Sequence, residues 1–178
     1  MSQQVAQDFG HTFGTGRREL LDKMRSFAHG LDLRLHDDDA EVRIGEEGVL
    51  GAAVVRHSGG GLTAEALKHG VDVAVVYIDM PRSKIHRGFY RCHVVGEQPG
   101  GKMTLYGADG ARAAEIDATI TFRPGASAAA TCGVGISSHV DPSGEVPTKT
   151  VCWAAICSTS GGVAIVTGCV VNVPPTTG

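Results

Sequence analysis

Four thiols and a crowd of hydroxyls share one end of this chain. Cys132, Cys152, Cys157 and Cys169 lie between residues 126 and 178 with thirteen Ser and Thr residues, in lines such as T-V-C-W-A-A-I-C-S-T-S-G-G-V-A-I-V-T-G-C-V-V. A cysteine thiolate is a soft nucleophile and a Ser or Thr that has lost water is an electrophilic alkene, so the two can close into a thioether ring. A Cys or Ser side chain can also cyclise onto the preceding carbonyl to give an azoline. Both reactions need an accessible, flexible, weakly charged peptide. The segment carries only Asp141, Glu145 and Lys149 as charges, against thirty-two in the first 125 residues, and its Gly, Ser, Thr and Ala content supplies flexibility.

In composition the segment resembles the cores of ribosomally synthesised, post-translationally modified peptides: lanthipeptides, azole-containing peptides and Cys-bridged bacteriocins. C-W-A-A-I-C-S-T-S-G-G-V-A-I-V-T-G-C has their mixture of cysteine, small residues, aliphatics and hydroxyls. The resemblance implies a precursor, with residues 1–125 as a leader and 126–178 as an antimicrobial core that begins at Thr131, after A-S-A-A-A, or near Thr150. It implies dehydration at Thr148, Thr150, Ser158, Thr159, Ser160 and Thr167. Cys152, Cys157 and Cys169 become ring partners, with Cys132 a further thiol. A modifying enzyme and a protease or exporter are the implied partners, and the processed tail leaves the cytoplasm where it is made.

A second reading makes the tail part of a fold. Cysteine is among the most buried residue types, so four of them in apolar strands need no chemistry. Val151 to Ile156 and Val163 to Val173 are apolar at nearly every position, as strands buried on both faces are, and T-S-G-G between them suits a hairpin turn. On this reading the chain is a non-catalytic β-rich binding or assembly domain.

Other chemistries find less support. Cys152 and Cys157 form C-x4-C, but the next thiol is too distant and His139 too far upstream for a zinc site. The N-terminus lacks a basic n-region and an apolar h-region, so the cysteines are expected to be made in the cytosol and stay reduced there. No apolar run reaches the length of a spanning helix, because Thr167 and Gly168 interrupt the longest. A net charge of −3 with interleaved signs argues against nucleic acid. Cys92 and His93 suggest a nucleophile and its base, yet neighbours on a strand point to opposite faces. His57 precedes Ser58-Gly59-Gly60-Gly61, which lacks the Lys-Ser/Thr of a phosphate loop and the spacing of a dinucleotide loop. Asp37, Asp38 and Asp39 read as a solvated turn. Asp37, Asp39, Glu46 and Glu47 could pair as carboxylates, but nothing in the spacing fixes their separation. No cofactor is expected, and no catalytic constellation assembles, so the chain reads as a non-enzyme.

The elements that must position these residues are mainly strands. Leu20, Leu21, Met24, Phe27 and Ala28 recur at helical spacing between Thr15 and His29, with Gly30 as the stop. A second short helix covers Leu62 to His69. From Ala40 to Phe122, six β-branched or aromatic runs are bounded by Gly, Pro or Asp-Gly turns, the clearest being Asp109-Gly110. An α+β fold, mainly β, is expected: an antiparallel sheet or sandwich with one or two short helices, plus the low-charge tail.

Overall fold

The computed structural model describes residues 13–57, 62–124, 132–141, 148–159 and 162–172. Helix α1 (Phe13–Gly30) leads into strands β1 (Leu35–Gly45) and β2 (Gly48–Val55), and a short helix α2 (Ala64–His69) precedes β3 (Val71–Asp79). Strands β4 (Gly88–Glu97), β5 (Gly100–Tyr106) and β6 (Arg112–Pro124) follow. The tail supplies β7 (Cys132–Asp141), β8 (Thr148–Thr159) and β9 (Gly162–Asn172). The fold is α+β and mainly antiparallel β, as the sequence indicates.

The strands form one sheet of nine in the order β1-β2-β3-β4-β5-β6-β9-β8-β7. β1 to β6 run as a simple meander, and β7 to β9 run as a second. The second meander is entered from its far end, so β9 rather than β7 bonds to β6. The two outermost strands then approach each other and nearly close the sheet into a barrel. At that seam the Ile136 backbone N–H donates to Glu41 Oε2 at 3.1 Å, and Asp39 Cβ stands 3.6 Å from where a Gly133 side chain would begin. Covering an edge in this way removes an exposed template for aggregation.

Strand alternation sorts side chains into two cores. Leu50, Ala52 and Val54 of β2 face the barrel interior with Ala74, Val76 and Ile78 of β3, Cys92, Met103, Leu105, Ile120, Trp153 and Val166. Val49, Ala53, Val55, Val75 and Tyr77 face outward, where Leu20, Met24 and Ala28 of α1 cover them. Those helical residues are spaced four apart and share a face. β2 and β3 are therefore buried on both sides, which is why V-L-G-A-A-V-V and V-A-V-V-Y-I read as continuous apolar runs rather than alternating ones. Gly51 lets the helix seat closely, because a Cβ there would stand 3.2 Å from both Leu20 Cδ2 and Met24 Sδ.

The precursor function is corrected by these strands. A peptide awaiting dehydration and ring closure must be reachable, whereas Val151, Trp153, Ala155, Cys157, Ala164, Val166 and Val170 are at most 3% exposed. They complete the barrel wall and its core, so the precursor function gives way to the second reading, a β-rich domain with the tail buried as strands. The tail holds three strands rather than the two anticipated. The acidic turn is also revised: Asp37 to Asp39 lie within β1, where the register against β2 shifts between His36 and Glu41. Residues 37–40 are thereby left out of the β1–β2 ladder. Residues 125–131, with the A-S-A-A-A run, and the Ser58-Gly59-Gly60-Gly61 segment lie outside the described residues.

Among the described residues no helix is long and apolar enough to cross a membrane.

Candidate functional site

The tail cysteines meet in pairs. The β7–β8 register sets Cys132 opposite Cys157, and the β8–β9 register sets Cys152 opposite Cys169. Both pairs are disulfide-bonded, each with its Cα atoms 4.1 Å apart. Cys157 shares the inward face of β8 with Trp153 and Ala155, while Cys152, at the opposite parity, points outward. β8 is thus stapled to β7 on the inside and to β9 on the outside, in place of the four reduced thiols expected. Of the hydroxyl residues, Thr148 and Thr150 open β8, Ser158 and Thr159 close it, and Thr167 stands on β9 opposite Ala154. Ser160 lies outside the described residues.

The free thiol is that of Cys92. It is fully buried in the barrel interior. Burial pushes its thiol far above the ordinary range, and the Trp153 indole N–H, which falls short of hydrogen-bond geometry, offsets this only in part. A thiol held protonated does not attack. His93 is on the other face, as alternation requires. Its Nδ1 lies 3.0 Å from Asp72 Oδ1, which also accepts from Arg91 Nη1 at 2.7 Å. Arg91 in turn rests 4.4 Å from the centre of the Tyr106 ring. His57 is half-buried beside this cluster with Nε2 unpartnered. Burial lowers its pKa, against an upward pull from Asp72.

Glu46 is exposed, and Glu47 does not pair with it as a carboxylate. Glu47 instead binds Lys149 Nζ at 2.9 Å. Asp79 is 1% exposed, with Oδ2 lacking a partner. Burial raises its pKa, although the Arg87 charge works the other way. Tyr77, nearby on the same outward face, is pushed up to about 12 by burial and then by Asp79. Among the described residues, no three His, Cys, Asp or Glu side chains gather as metal ligands.

A different set of residues forms a concave site. At the end of α1, the Leu31 and Leu33 N–H groups donate to Ala28 O at 3.0 and 2.8 Å, and Asp32 adopts φ 62°. This tight turn folds the chain back into β1. Arg56 N then donates to Arg34 O at 2.7 Å, next to the Leu35–Val55 pair. The start of β1 and the end of β2 are locked together, and their arginines flank the last turns of α1. Between them lies a cleft of about 610 Å³. Arg25, Arg34 and Arg56 supply its charged groups, His29 an imidazole, Ala28, Leu33 and Leu35 its apolar wall, and Ser26 a hydroxyl. Arg25 is anchored by Asp22 Oδ1 at 2.6 Å.

No acidic side chain lines this cleft, although the chain as a whole is net negative at −3. Gathering like charges against the overall sign creates a local positive field that draws anions. Sequence reasoning missed the site because Arg34 and Arg56 are distant along the chain and meet only through β1–β2 pairing. The one local signal was Arg25 and His29, four apart on α1 and therefore on one face.

No family model matches the chain, nor does any curated protein or solved structure.

Proposed function

We propose that this chain is a non-catalytic binding domain, a barrel-like scaffold that holds a small molecule in the cleft between α1 and the β1–β2 corner. The observation that carries the reading is the convergence of Arg34 and Arg56 with an apolar wall of Ala28, Leu33 and Leu35 around one concavity. Ligand sites combine a largely apolar lining with a few placed polar groups. The supporting elements are rigid: α1 is pinned to β2 and β3, and the β1–β2 corner is tied by backbone bonds. The barrel interior is occupied by its own side chains, the buried Cys92 among them, which directs ligand contact to the surface. Titrating the full chain with a mixed set of neutral, cationic and anionic fragments, followed by backbone amide NMR shifts, tests this. Saturable shifts centred on residues 28–35 and 55–57 are expected. Their absence for every fragment, or their appearance only elsewhere, would defeat the reading.

A further inference from the structure

The chemistry of the cleft walls narrows what it holds. We infer that its ligand is an organic oxyanion, a carboxylate or phosphate ester carried on an apolar chain, with the anionic group between Arg34 and Arg56 and the chain along Leu33 and the accessible edge of Leu35. This rests on the binding reading above and adds the ligand class to it.

Three observations bear on the class. First, the cleft is charged in one sense only. Its titratable lining is Arg25, His29, Arg34 and Arg56, and no side-chain hydrogen bond or ion pair ties Arg34 or Arg56 to another described residue. Guanidinium groups present planar donor forks that match carboxylate and phosphate oxygens. Arg25 is already paired with Asp22, which offsets its charge, so Arg34 and Arg56 are the arginines placed to grip the anion. Second, the two arginines are held at adjacent sites by the 2.7 Å bond between the Arg56 N–H and the Arg34 carbonyl. Their side chains leave a rigid corner, which limits the ordering cost of gripping an anion. Third, the volume of about 610 Å³ exceeds by more than tenfold the roughly 30 Å³ share of a water-sized group. An inorganic ion alone would leave the Leu33 and Leu35 wall wetted, whereas an apolar chain would cover it.

Calorimetric titration of the full chain with octanoate, octyl phosphate, octanamide and inorganic phosphate, at low and at moderate salt, separates the contributions. Octanoate or octyl phosphate should bind roughly tenfold more tightly than octanamide, as a charge-assisted hydrogen bond at a partly exposed site would give, and should lose that margin as salt rises. Inorganic phosphate should bind more weakly than either. R34Q and R56Q should each weaken the preferred anion roughly tenfold while leaving octanamide unchanged. L33N should weaken octanoate, octyl phosphate and octanamide alike. Equal affinity for octanamide and both anions would overturn the oxyanion class and leave the binding reading standing. Anion binding indifferent to both R34Q and R56Q would overturn its placement at this corner. If none of the four probes binds while the fragment titration does find ligands, the class is wrong. If both are silent, the binding reading itself has failed.

Discussion

Lys149 Nζ donates to Glu47 Oε2 at 2.9 Å, joining the start of β8 to the β1–β2 turn over the seam of the barrel. The Glu47 side chain is 5% exposed and that of Lys149 37%. Burial alone would raise the Glu47 pKa, but the hydrogen bond from Lys149, a backbone N–H and the charges of Lys149 and Arg43 outweigh it and hold the carboxyl below its ordinary value. A carboxyl with a depressed folded pKa adds stability that is present above the unfolded value of about 4.5 and disappears as pH falls through the folded one.

Lys149→Met should therefore destabilise the chain by about 1–3 kcal/mol at neutral pH, less than a fully buried pair because Lys149 is partly solvated. The loss should shrink as pH falls below about 4.5 and Glu47 takes up a proton. Urea melts of both proteins across pH 3–7 check this, and a pH-independent difference would mean that the pair is not the cause.

The two disulfides should be structural. Their sequence separations of 25 and 17 place each near 3 kcal/mol by the entropy of the closed loop. Alkylation without reductant should leave native protein unlabelled and label one thiol, Cys92, after unfolding. Cys152→Ser with Cys169→Ser should lower the melting midpoint while leaving the Cys132–Cys157 bond intact by mass. Labelling of all five cysteines in unreduced, unfolded protein would show that the pairs do not form.

Asp79 should make the fold less stable as pH rises. Its folded pKa is raised above the ordinary 3.8 by burial, so the native state holds the proton more tightly than the unfolded chain. The stability this contributes is complete below about pH 3.8 and is lost as pH climbs through the folded value. Asp79→Asn keeps the shape and removes the buried charge. The variant should be more stable than the parent at pH 7, with the difference vanishing at low pH. Denaturant melts at pH 3.5 and 7 measure the two differences, and an equal effect at both would contradict the assignment.

The sequence was most legible where one face of an element is buried and the other is not. Leu20, Met24, Phe27 and Ala28, at helical spacing, announced α1. It was less legible where side chains are small. β7 went unread because Gly133 and Gly135 resemble a linker, although Cys132, Val134 and Ile136 already alternate with them at strand spacing. Asp37 to Asp39 resemble a turn, and only the bulge against β2 explains a strand there. The tail cysteines carried a true signal of mutual proximity. Their partners depend on strand register, which no local pattern fixes, and the expectation of reduced thiols pointed away from pairing. The cleft was least visible of all, since Arg34 and Arg56 acquire meaning only through tertiary contact.

That the Cys-rich tail is wall and core of the barrel, rather than a substrate segment attached to it, can be read from amide hydrogen exchange on the full chain without reductant. Amides of residues 151–157 and 164–170 should exchange as slowly as those of residues 73–78 in β3, through the same global opening. Fast, unprotected exchange across 151–157 and 164–170 while β3 stays protected would contradict the structure of the tail and the binding domain built on it.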